Sequence, residues 1–255
     1  MPRRVIGGLV ILLAACGSAS PLPDMQPGET GRVVNVIDGD ALVLDTGQSV
    51  RLVSIEAPAL YPRDRPAEPY AAESARILED LTLGRRVQLY YPGITRDRYD
   101  RALAHVVTID GAGPDVWLNA EMLERGGAWV RLYPDTAARG DELMNLEAEA
   151  RASETGLWSS ADYRVQDARG VSQTLRGFRI IHGRIGVALP VPTDTRYPPA
   201  CRRALQGANL TLSIRRDART ACGLPVGTEI RVRGYISELE LDLTYPRHLQ
   251  IVEAD

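Results

Sequence analysis

Residues 36–44 read Val-Ile-Asp-Gly-Asp-Ala-Leu-Val-Leu, and residues 50–58 read Val-Arg-Leu-Val-Ser-Ile-Glu-Ala-Pro. Two apolar runs flank Asp38-Gly39, a dipeptide that favours a tight hairpin turn. Upstream, Arg32 to Ile37 alternates and is rich in Val, which predicts a first strand. Ala41 to Leu44 is a second strand, turned at Thr46-Gly47, and Ser49 to Ile55 is a third. Pro58 to Pro69 is a charged, Pro-rich loop. In Tyr70 to Leu83 the apolar residues Ala71, Ala75, Leu78 and Leu81 recur at helical spacing, and Gly84 closes the run. Arg86 to Tyr91 and Ala102 to Ile109 are two more strands. Val116 to Arg125 and Ala137 to Glu154 are helices, stopped at Gly126-Gly127 and Gly156. Five strands with a helix after the third follow the order of an OB-type barrel.

Beyond this, Ser159 to Arg176 lacks apolar periodicity and reads as a linker. Strands return at Phe178–Val187, Leu210–Arg215, Glu229–Tyr235 and His248–Val252. Glu238 to Leu243 alternates charge with Leu and predicts a half-exposed strand. The expected fold class is mainly β with helices (α+β). A five-stranded OB barrel over 31–158 precedes a second small OB-like β domain over 177–255.

A third block, Arg96-Asp97-Arg98-Tyr99-Asp100-Arg101-Ala102-Leu103-Ala104, and the closing Gly156-Leu157-Trp158 complete a pattern. Together the blocks resemble the staphylococcal nuclease (thermonuclease) family over about residues 31–158. The resemblance implies phosphodiester cleavage of DNA or RNA with calcium, a hard cation that takes oxygen ligands. It implies Asp40 and Glu56 as metal carboxylates and the Ala57 carbonyl as a backbone ligand. It implies Arg51 and Arg101 as the guanidiniums that grip the phosphate. Asp97 matches an acidic position that orders the second arginine's loop.

The pattern also departs from the family. Glu56 stands where Asp is usual. Ala59 follows Pro58 where the family places the Glu that activates water, and Ala cannot take a proton. Ala41 replaces a Thr, and Asp100 replaces a Gly, setting a carboxylate beside Arg101. Asp64 and Glu68 are loop carboxylates able to stand in for the missing Glu. Structural readings run alongside: Asp38-Gly39-Asp40 as a plain turn, and Arg51 paired with Glu56 or Asp97. Glu147, Glu149 and Glu154 read as a solvated helix face. Leu143, Leu146, Ala150 and Trp158 read as core. Tyr90, Tyr91 and Tyr99 suit either base stacking or strand packing.

Arg3 and Arg4 precede the 11-residue apolar run Val5 to Ala15, too short for a membrane span. Leu13-Ala14-Ala15-Cys16 resembles a bacterial lipoprotein signal. That implies a signal peptide over 1–15, lipidation at Cys16, a flexible tether over 16–30 and membrane attachment in the cell envelope. An ordinary secretory signal is the alternative. In an oxidising compartment Cys201 and Cys222 are an even pair, expected as a disulfide, with two buried thiols as the other reading. His105, His182 and His248 are isolated and lack zinc-ligand spacing.

All 30 basic residues of the 255 are Arg, against 33 acidic ones. The chain is therefore no general polycation. Its 44% apolar content excludes a disordered or collagen-like chain. Residues 31–158 carry net charge −7 and residues 177–255 net +3. Arg202-Arg203, Arg215-Arg216 and Arg231 with Arg233 read either as a phosphate-tracking surface or as a solubilising face. The function expected is an exported, lipid-anchored nuclease. The alternatives are a catalytically inactive module that binds nucleic acid or an envelope partner, and a purely structural envelope lipoprotein.

Overall fold

The computed structural model describes residues 20–62, 66–109, 111, 114–194 and 196–252. The signal peptide expected over 1–15, Cys16 and Asp64 lie outside the described residues. The strands are β1 (Gln26–Asp38), β2 (Ala41–Leu44), β3 (Ser49–Leu52), β4 (Ile55–Glu56), β5 (Arg86–Tyr91), β6 (Ala102–Thr108) and β7 (Trp129–Val130). They continue as β8 (Gln166–Asp167), β9 (Gly177–Leu189), β10 (Cys201–Leu205), β11 (Thr211–Ile214), β12 (Glu229–Ser237), β13 (Glu240–Leu243) and β14 (Leu249–Ile251). The α-helices are α1 (Ala71–Thr82), α2 (Leu118–Glu124) and α3 (Gly140–Ala152).

The first barrel closes in the order β1-β2-β3-β6-β5. Alternation decides which side chains fill it. Val50, Leu52, Ala102 and Ala104 point inward with Leu42, Leu44, Val87 and Leu89, and all are buried. Helix α1 caps one end with Leu78 and Leu81, and α2 and α3 add Met122, Leu123 and Leu143.

The second domain repeats the plan. β9, β10, β11, β13 and β12 pair in turn, and β12 returns to β9 to close the ring. β11 pairs with β13 in parallel, as β3 does with β6, and the other ring pairs are antiparallel. This is an OB order in both domains. The chain that links β11 to β12 holds a short 3-10 turn, Arg216–Gly223, where the first barrel has α1. Cys222 in that turn is joined by a disulfide to Cys201 at the start of β10, with Cα atoms 6.1 Å apart.

Several expectations need correction. The tether expected through residue 30 gives way at Gln26 to β1, and Leu22 and Met25 are already buried against Tyr90 and Val107. The linker region is packed: Tyr163 and Ala168 are buried. Strand β10 is not among the strands the sequence predicts, because Arg202-Arg203 interrupts the apolar alternation. Arg203 is in fact buried and donates to the carbonyls of Gly186, Cys222 and Leu224. Glu147 is not on a solvated face. It is fully buried, whereas Glu149 and Glu154 are exposed.

Glu147 marks the joint between the barrels. Arg233 of β12 donates to both its carboxylate oxygens, and Arg151 and the Val130 N–H add two more bonds. Beside it, Trp129, Leu157, Trp158 and Tyr163 of the first half pack with Phe178 and Ile180 of β9. His248 Nε2 accepts from the Leu132 N–H at 3.0 Å. Among the described residues no helix is long and apolar enough to cross a membrane.

Candidate active site

The β1–β2 turn sets Asp40. A Cβ at Gly39 would fall 1.8 Å from Ser74 Oγ and 2.7 Å from Ala57 Cβ, so only glycine lets the turn sit this close to α1. Asp38 Oδ1 accepts from the Asp40 N–H at 3.1 Å, an Asx-type lock on the turn. The Asp40 side chain is buried. Its Oδ1 accepts from Arg51 Nη1 at 2.9 Å and its Oδ2 from the Ala57 N–H at 2.8 Å. Arg51 therefore pairs with Asp40, not with Glu56 or Asp97. Burial pushes the Asp40 carboxyl up, to about 8, and Asp38 and Glu56 push the same way, while Arg51 and the Ala57 N–H oppose them. Burial also disfavours the Arg51 charge, but Asp40, Glu56 and Asp38 more than offset it. Such a crowd of carboxylates favours a cation in its midst.

Parallel pairing brings the two arginines to one face. Arg51 is opposite Leu103, and Arg101 lies two residues before Leu103. Side chains two apart share a face, here the outer one. Asp97 holds Arg101 in place: it accepts from Arg101 Nε at 2.7 Å and from the Arg101 N–H at 3.0 Å. Asp100 does not neutralise Arg101. It is exposed, and its carboxylate lies 3.9 Å from Arg96. Its φ of 61° is left-handed, a conformation that Asp tolerates better than most residues. Tyr90 and Tyr91 are buried, which leaves Tyr99, exposed beside Arg98 and Arg101, as the one member of that trio open to a base.

Arg51, Arg101, Arg131 and Tyr133 line a cleft of about 370 Å³. Arg131 and Tyr133 were not singled out in the sequence. The signal was weak: Trp129-Val130-Arg131-Leu132-Tyr133 reads as a short strand after a helix. Arg131 Nε donates to Tyr133 Oη at 2.7 Å, and the guanidinium lies 5.3 Å from the Tyr133 ring.

Glu56 sits on β4, directly opposite Trp129 on β7. Its Oε1 accepts from Tyr235 Oη at 2.8 Å. Its Oε2 is buried without a hydrogen bond, although Arg131 Nε lies 3.2 Å away. Glu56 Oε2 is ion-paired with Arg131 but accepts no hydrogen bond, and with the buried Asp40 carboxylate nearby it keeps lone pairs that a hard cation can take. Among the described residues no three His, Cys, Asp or Glu side chains converge on a metal position. A cation here would complete its shell with the Ala57 carbonyl, water and substrate oxygens. At residue 59, Glu68 Oε2 accepts from the Ala59 N–H at 2.9 Å, and the Glu68 N–H donates back to the Ala59 carbonyl.

Three of the six second-barrel arginines that read as either a phosphate-tracking surface or a solubilising face are paired with carboxylates of this chain. Arg233 is buried on Glu147, Arg202 pairs with Glu240 and Arg215 with Asp242. Arg231 and Arg233 do share a face, but it is the one turned to α3.

A family model described as staphylococcal nuclease homologue matches residues 49–160. An Escherichia coli O157:H7 protein named as an uncharacterized endonuclease is 37% identical over 135 residues, 52% of this chain and 78% of that protein. The chain belongs to the staphylococcal nuclease family. A thermonuclease of Staphylococcus hyicus is 25% identical over 178 residues, 62% of this chain and 99% of the enzyme. The Escherichia coli protein ParB is 34% identical over 163 residues, 61% of this chain and 83% of that protein. The family match spans β3 through the turn at Trp158, so Arg51, Glu56, Arg101 and Arg131 fall within it and Asp40 just before it.

Proposed function

We propose that this protein hydrolyses phosphodiester bonds of single-stranded DNA or RNA with the help of calcium. The observation that carries the reading is the meeting of Arg51, Arg101 and Arg131 on one cleft, with Arg51 tied to the buried Asp40. Two of these arginines stand at the family's phosphate positions. Each guanidinium presents a planar fork that matches two phosphate oxygens. Attack of water on phosphorus puts more negative charge on those oxygens, and donors already aimed at them bind that state more tightly. Asp97 and Asp40 fix the two forks in advance, so little reorganisation is needed.

Asp40, Glu56 and the Ala57 carbonyl would hold the calcium ion. When bound, it supplies positive charge beside the phosphate and lowers the pKa of a coordinated water. Ala59 cannot take the proton of that water. We assign the task to Glu68, whose carboxylate is held against the Ala59 N–H and lines the neighbouring cavity beside Trp129 and Tyr163, so that the role requires its loop to turn it toward the arginine cleft. Tyr99 offers an exposed ring for the base next to the cleaved bond.

The first half is acidic, net −7, so it does not attract a polyanion as a whole. Capture falls to the local arginines. A second reading, a nuclease fold that binds nucleic acid without cutting it, is favoured only by Ala59. We further propose export and lipid anchoring at Cys16, on the strength of residues 3–16 alone; palmitate labelling lost in Cys16→Ala tests it. The catalytic reading is tested by incubating the purified full-length chain with labelled single-stranded DNA and RNA. Cleavage with calcium and none with chelator supports it. Binding without cleavage under both conditions supports the second reading.

A further inference from the structure

Strand β12 presents two faces. Ile230, Val232 and Ile236 fill its own barrel. Arg231, Arg233 and Tyr235 alternate with them on the other face, which meets the nuclease domain. Arg233 fixes this face through its two bonds to Glu147. Two residues further on, the Tyr235 hydroxyl reaches out of the second barrel and donates to Glu56 Oε1 at 2.8 Å.

The contact is braced on three sides. The Tyr235 ring meets Phe178 edge-on, with centroids 6.2 Å apart. Phe178 stacks on Trp129 at 4.7 Å and 12°. Trp129 is the residue directly opposite Glu56 across the β4–β7 pair. On the third side the Arg131 guanidinium lies 4.4 Å from the Tyr235 ring and 3.2 Å from Glu56 Oε2. A glutamate has three rotatable side-chain bonds and rarely keeps one orientation unaided. Here one carboxylate oxygen is fixed, and the other stands buried without a hydrogen bond.

We infer that Tyr235 is a positioning residue for the nuclease site: the second barrel supplies the hydrogen bond that holds Glu56 in its cation-binding orientation. The inference rests on the reading of Glu56 as a cation ligand. It gives the second barrel a role in the site without direct contact to nucleic acid. Outer partners that orient ligating carboxylates contribute roughly 10–100-fold to metal affinity.

The test is calorimetric titration of calcium into the full-length chain, with no substrate present. Tyr235→Phe keeps the ring and removes one oxygen; it should weaken calcium binding by roughly 10–100-fold. Tyr245→Phe, another tyrosine of the second half packed on the first core, should leave the affinity unchanged. Tyr235→Phe in a Glu56→Asp background should add no further loss, because the shortened carboxylate no longer reaches residue 235. Equal affinity in wild type and Tyr235→Phe overturns the inference and leaves the catalytic reading standing. Equal weakening by both tyrosine variants, or full additivity with Glu56→Asp, also overturns it. Absence of calcium binding by the wild type overturns both the inference and the calcium part of the proposed function.

Discussion

Arg233 of the second barrel and Glu147 of α3 in the first form a two-pronged ion pair at 2.5 and 2.8 Å, with both side chains buried. Removing Arg233 leaves the buried Glu147 with Arg151 and the Val130 N–H alone, and losing one partner of a buried pair costs up to about 3–5 kcal/mol. Arg233→Ala should therefore lower stability by about that amount. Replacing both partners, as Arg233→Met with Glu147→Gln, should cost less than Arg233→Ala alone. Urea unfolding followed by tryptophan fluorescence checks this, since Trp129 and Trp158 sit in the same interface. A change under about 1 kcal/mol for Arg233→Ala would show that the pair does not fasten the domains.

The Cys201–Cys222 disulfide ties β10 to the 3-10 turn of the second barrel. Closing a loop of about 20 residues stabilises by roughly 3 kcal/mol. Reduction should lower the melting temperature of the full chain. Alkylation should add mass at these cysteines only after a reducing step. Alkylation of both cysteines in the unreduced, unfolded protein would contradict the bond.

Two buried histidines make the fold sensitive to acid. His105 accepts from Trp117 Nε1 and His248 accepts from the Leu132 N–H, so each is used as a neutral ring. Burial pulls both down to about 3. A group whose folded pKa is lowered in this way gains a proton on unfolding once the pH falls below its unfolded value near 6.5. Stability is thus kept above about pH 6.5 and lost progressively between about 6.5 and 3. By pH 5 the loss should reach roughly 2 kcal/mol for each histidine. Urea midpoints at pH 7 and pH 5 measure it, and His105→Gln should flatten the dependence. A midpoint that is constant over that range contradicts the assignment.

Glu68 carries the proton-accepting role in this account. Glu68→Gln keeps a side-chain oxygen for the Ala59 N–H and removes the base. It should lower kcat by roughly 10²-fold or more, with KM little changed. Undiminished kcat would remove Glu68 from the mechanism. Gain of activity in Ala59→Glu would then point to a site that had lost its base.

Much of the first barrel was legible because its signals are local. The Asp38-Gly39 turn, the alternating runs at 41–44 and 86–91 and the helical spacing at 71–81 each fix an element by themselves. Asp40, Glu56, Arg51 and Arg101 were legible as a pattern of spaced blocks. The contacts that cross between barrels were not. Glu147 looks like its solvated neighbour Glu149 until Arg233 arrives from 86 residues away. Arg203 looks like part of a basic surface until three carbonyls close around it. Tyr235 gave no sign of reaching Glu56, since side-chain alternation tells which residues share a face but not what that face meets. Arg131 was missed for the same reason: its partners Glu56 and Tyr235 come from distant parts of the chain.

The central claim is that Arg51 stabilises charge on a phosphate undergoing hydrolysis, and one measurement addresses it directly. The rate of calcium-dependent cleavage of labelled single-stranded DNA or RNA is compared for the wild-type chain and Arg51→Ala, with folding checked by melting temperature. Loss of a preorganised donor to the developing charge should lower kcat by roughly 10²–10³-fold, with substrate binding far less affected. Cleavage by Arg51→Ala at the wild-type rate would contradict the account.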